Sequence, residues 1–190
     1  MGKRDGYISM RDRRQQLKLI SFNNMPQTRE FRVKVQCLMA VEIEDMLCFA
    51  AKERLPFASL AILRTGIETL ALGLWWWKCA SEEDIQGTSN RVLPGSLEAM
   101  VAQLPEKERR YLASFLDFSI VDPVGNVQRT MLRDVLNPIA HGDALTAANR
   151  IGSAAHHPDG AIFWENRAFE TFRAMVHFFE ITVGIEVLGS

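Results

Sequence analysis

The sequence predicts an all-α fold, a single antiparallel bundle of five to six helices. Three observations lead there. Apolar residues recur at helical spacing through most of the chain, and no alternating strand pattern, internal repeat or low-complexity tract interrupts them. Pro and Ser/Thr residues stand where the helix-like segments begin. Of the 190 residues, 47 % are apolar and 24 % charged, the balance of one globular domain rather than a disordered chain. The net charge of −1 gives the molecule no overall bias toward polyanions, and three cysteines without paired spacing exclude a disulfide scaffold or a CxxC zinc or redox site.

Residues 1–24 carry six basic side chains against Asp5 and Asp12 and read as a solvated basic arm ahead of a bundle domain over 25–190. A nucleic-acid-binding arm is the rival reading. No apolar core follows these charges, as a secretory signal requires, and Gly2 lacks the downstream Ser or Thr of a myristoylation site. Thr28, just after Pro26, opens a helix that runs to about Arg54, with Phe31, Val35, Leu38, Met46 and Phe49 as its core stripe. Pro56 suits the first turn of a second helix reaching about Ser81. Ser81 with Glu82, Glu83 and Asp84 forms a cap and acidic first turn for a short helix. After a loop from Gly87 to Gly95, Ser96–Leu104 and Pro105 to about Val121 read as two further helices. Residues 122–126 form a turn, and Val127–Ala140 is helical up to Gly142. The stretch from Asp143 to Asn166 is loop-rich, with a short helix over Ala144–Arg150. The last helix, about Arg167 to Leu188, lines up Phe169, Phe172, Val176, Phe179, Val183 and Val187.

Phe57–Ala80, with Trp75, Trp76 and Trp77, is apolar enough to suggest a membrane span. Arg64 and Glu68 interrupt it, and each costs about 3 kcal/mol at a bilayer centre. Nine residues separate Glu68 from Lys78, about 14 Å of helix against a hydrocarbon core of about 30 Å. The segment therefore reads as the central helix of a soluble, cytoplasmic bundle with no membrane partner.

Charged side chains within this apolar pattern are the candidate site. Glu42 sits in the middle of the first helix's apolar stripe, and Arg64 and Glu68 share one face of the second with Ala61, Ala71 and Trp75. A buried charge needs a partner, which predicts Arg64 flanked by Glu68 and Glu42. Arg133, Asn137 and His141 form a polar stripe opposite the apolar Met131, Leu132, Val135, Leu136 and Ile139. Pro138 breaks the ladder there and leaves His141 at a helix C-terminus, where the dipole favours its charged form. An imidazole beside a guanidinium can move a proton and grip a phosphate, although a solvated helix face carries the same residues without any activity. The adjacent His156 and His157, with Asp159 and Glu165, lack metal-ligand spacing, so no metal and no cofactor are expected. The tryptophans read as core, and Cys37, Cys48 and Cys79 as small buried hydrophobes.

The segment from Leu63 to Asp84, with Arg64, Glu68, Gly73, Trp75 and Cys79-Ala80-Ser81, is similar to the central helix of an uncharacterised family of small all-helical bacterial proteins. Leu136 to Ile151, with His141, Gly142 and Arg150, looks like that family's second block. More distantly, Asn137-Pro138-Ile139-Ala140-His141 resembles the tail of the HEPN ribonuclease motif, with Leu136 standing where that motif has Arg and Arg133 the nearest Arg upstream. The resemblance implies a HEPN-like homodimer acting on RNA in bacterial stress or phage defence. Metal-free cleavage would then use His141 for proton transfer, Arg133 or Arg150 as phosphate clamp and Asn137 for orientation, with Arg64 and Glu68 in support. The rival expectations are a non-catalytic protein-interaction module whose polar cluster is structural, and a bundle that binds a small molecule or nucleotide.

Overall fold

A computed structural model describes residues 28–90, 94–116, 120–121, 127–128, 136, 138–139 and 160–184. Among these residues the fold is all-α, with six helices and one minimal antiparallel strand pair. Helix α1 (Arg29–Lys52) starts where expected, with the Thr28 hydroxyl accepting from the Phe31 N–H. It ends with Leu55 N–H donating to Ala50 C=O at 2.9 Å and Arg54 N–H to Ala51 C=O at 3.2 Å. This paired closure places Arg54 in the left-handed region at φ 57°, the position glycine usually takes. Pro56 then opens α2 (Pro56–Lys78). A reciprocal box between Ser81 and Asp84 starts α3 (Glu82–Gln86), and Gly87, at φ 71°, ends it. Ser96 caps α4 (Leu97–Gln103), which leads into α5 (Glu106–Leu116).

Three expectations need correction. Of the α1 stripe drawn from the sequence, Phe31, Val35 and Leu38 are half-buried, but Met46 and Phe49 are exposed, and so is Glu42. The buried face consists of Val33, Gln36, Cys37, Ala40, Val41, Ile43, Leu47 and Ala50. Periodicity could not choose between the faces because α1 is apolar on both. The smaller, β-branched side won because it lets α2 come close. The helix expected to reach Val121 stops at Leu116, and Ile120–Val121 (β1) pairs antiparallel with Val127–Gln128 (β2), where a helix was expected to begin. β-branched residues on either side of Pro123 and Gly125 favour extended pairing over helix there. Helix α6 (Gly160–Val183) begins well before Arg167 and stops short of Leu188.

Helix α2 is the centre. By length and composition it could cross a membrane, but Leu60, Leu63, Ile67, Leu70, Leu74 and Trp75 are buried against the other helices. Trp75 and Trp76 meet edge to face, with centroids 5.1 Å apart. Helix α1 runs antiparallel to α2, whereas α6 runs parallel to it, as two sockets show. A Cβ on Gly66 would lie 2.8 Å from Phe172 Cδ2 and 3.0 Å from Ile43 Cγ2. A Cβ on Gly73 would lie 2.6 Å from Phe179 Cε2 and 3.2 Å from Gln36 Cβ. The absence of side chains at these two positions lets Phe172 and Phe179, both fully buried, rest on the α2 backbone.

Arg29 ties the opposite end of the hairpin. Its guanidinium donates to the carbonyls of Trp76 (2.9 Å), Trp77 (3.0 Å) and Ala80 (2.8 Å), and to Glu82 Oε1 at 3.1 Å. The cation thus satisfies the open C-terminal carbonyls of α2. Arg32 adds a hydrogen bond to Ile85 C=O at 3.1 Å and lies over the Trp76 ring. Of the cysteines, Cys37 is buried, while Cys48 and Cys79 are half-buried.

Gly66→Ala gains about 1 kcal/mol of helix propensity and loses about 1–3 kcal/mol to overpacking. A net destabilisation of up to about 2 kcal/mol in urea melts is the expected outcome, shrinking in a Phe172→Leu background. Arg54→Gly relieves the left-handed strain and should stabilise the fold by about 0.5–1 kcal/mol in the same assay.

Candidate functional site

The α2 face that carries Arg64, Glu68, Trp75 and Cys79 is covered by α4. Helical spacing places Arg64 and Glu68 one turn apart, and Arg64 Nε donates to Glu68 Oε1 at 2.8 Å. The second carboxylate is Glu98, from the first turn of α4, whose Oε1 lies 4.0 Å from Arg64 Nη2. This corrects the expected partner: Glu42, on the outer face of α1, is replaced by Glu98. Nothing in the sequence pattern points to Glu98 as a partner for Arg64. Its only signal is the Ser96-x-Glu98 helix start, which places a carboxylate in a first turn without saying what it will face.

Farther along the same face, Trp75 Nε1 donates to Gln103 Oε1 at 3.0 Å, and the Cys79 thiol to Gln103 C=O at 3.2 Å. Helix α4 is therefore held by charge at its start and by neutral hydrogen bonds at its end. Ala71 and Trp75 are buried beneath it, and Ala61 is exposed.

The Arg64 side chain is 11 % exposed, so the cation is largely withdrawn from water. Glu68 takes the Nε side of the guanidinium, and Glu98, two-thirds exposed, stands at 4.0 Å from Nη2. An i,i+4 ion pair of this kind contributes roughly 0.5 kcal/mol, a positioning interaction more than a source of stability. The Glu98 carboxyl lies below the ordinary glutamate range. Its own backbone N–H has the largest effect, burial opposes the lowering, and the Ser96 hydroxyl and the Arg64 charge add to it.

Arg133, Asn137, His141 and Arg150 lie outside the described residues. Their neighbours Leu136, fully buried, and Ile139, half-buried against the core, occupy the apolar side expected of them. Among the described residues no group of three His, Cys, Asp or Glu side chains could hold a metal ion, and His156, His157 and Asp159 lie outside them.

Three features were not anticipated from the sequence. An open groove of about 560 Å³ runs along α5, lined by Glu106, Lys107, Arg110, Tyr111 and Ser114. Arg110 pairs with Glu106 there, and Tyr111 stacks on Phe178 of α6. Glu108 and Glu180 are buried carboxylates, on α5 and α6. No protein-family model, curated protein or solved structure matches the chain.

In a nuclear magnetic resonance titration, the Glu98 carboxyl should titrate below an exposed glutamate, and Arg64→Met should remove only the smaller part of that lowering. A carboxyl lowered by folding stabilises the fold above its unfolded value. That contribution is intact above about pH 5 and fades as the pH falls through the lowered midpoint.

Proposed function

We propose that the chain is a non-catalytic protein-interaction module, a helical scaffold that binds another protein through the outer face of α1. One observation carries this reading: Met39 (41 % exposed), Met46 (53 %) and Phe49 (60 %) lie along one side of a helix already buried on the other. A helix apolar on two faces is ordinarily covered on both, and large side chains grouped on a surface mark contact sites. On this reading the Arg64–Glu68–Glu98 cluster is structural, fixing where α4 sits on α2.

The RNA-directed alternative needs a guanidinium open to phosphate and an Arg beside Asn137. Arg64 already faces two carboxylates, and Leu136, in the place of the motif's Arg, is a fully buried core side chain. Both features weigh toward the interaction module.

Incubating RNA with the full chain and with His141→Ala, in the presence of a metal chelator, tests the reading. Neither protein should cleave. Cleavage by the wild type that His141→Ala abolishes would overturn the module and restore the nuclease.

A further inference from the structure

We draw no further inference here: the strongest candidate, the exposed apolar face of α1 formed by Met39, Met46 and Phe49, carries none, since nothing in the structure shows what covers it.

Discussion

The close approach of α6 to α2 at Gly66 and Gly73 is the constraint on which the rest of the architecture depends. Each glycine is a socket for one phenylalanine ring, and α1 closes on the same two points, with Ile43 at Gly66 and Gln36 at Gly73. Three helices therefore meet at two levels one heptad apart. Because α6 runs with α2 while α1 runs against it, the three-helix centre is fixed by side-chain shape rather than by chain connectivity. A short turn brings α1 back on α2, but nothing local dictates the direction of α6. Burial of two large rings, each worth about 1.5–3 kcal/mol, is the term large enough to do so.

Polar contacts then complete what the apolar centre begins, and most of them sit at helix ends. Arg29 closes the carbonyls at the end of α2, Ser81 and Asp84 close the start of α3, and Ser96 closes the start of α4. The Asp84 carboxylate is buried, yet its charge has a clear use: Oδ2 accepts from the Ser81 N–H at 2.9 Å. The Arg64 cluster belongs with these contacts. Its cation lies between helices, paired with Glu68 on its own helix and with Glu98 of α4 at 4.0 Å.

Signals confined to one turn of chain were legible in the sequence. Thr28, Pro56, Ser81, Gly87 and Ser96 act where their types predict, because a cap depends only on residues two to four positions away. The C-terminal stripe was legible as well, since Phe172 and Phe179 stand on a helix with one clearly apolar side. The inner face of α1 was not. Val33, Ala40 and Ala50 carry less hydrophobic surface than Met46 and Phe49, and only the small-residue groove of α2 makes the lesser face the buried one. In the charged cluster, the Arg64–Glu68 pair follows from spacing along one helix. Its second carboxylate is thirty-four residues away in sequence, on a helix whose placement depends on Trp75 and Gln103. Contacts of that range are set by packing, which no local pattern encodes.

Two equivalent sockets a heptad apart create a translational ambiguity. Sliding α6 by about 10.5 Å along α2 would seat one ring in the neighbouring notch at almost no loss of shape. Both slips cost burial. Whichever way α6 moves, one of the two notches is left without its ring. The burial of one large side chain that is then forfeited is worth about 1.5–3 kcal/mol. Matching the seven-residue spacing of the rings to that of the notches thus gives the helix one place to settle.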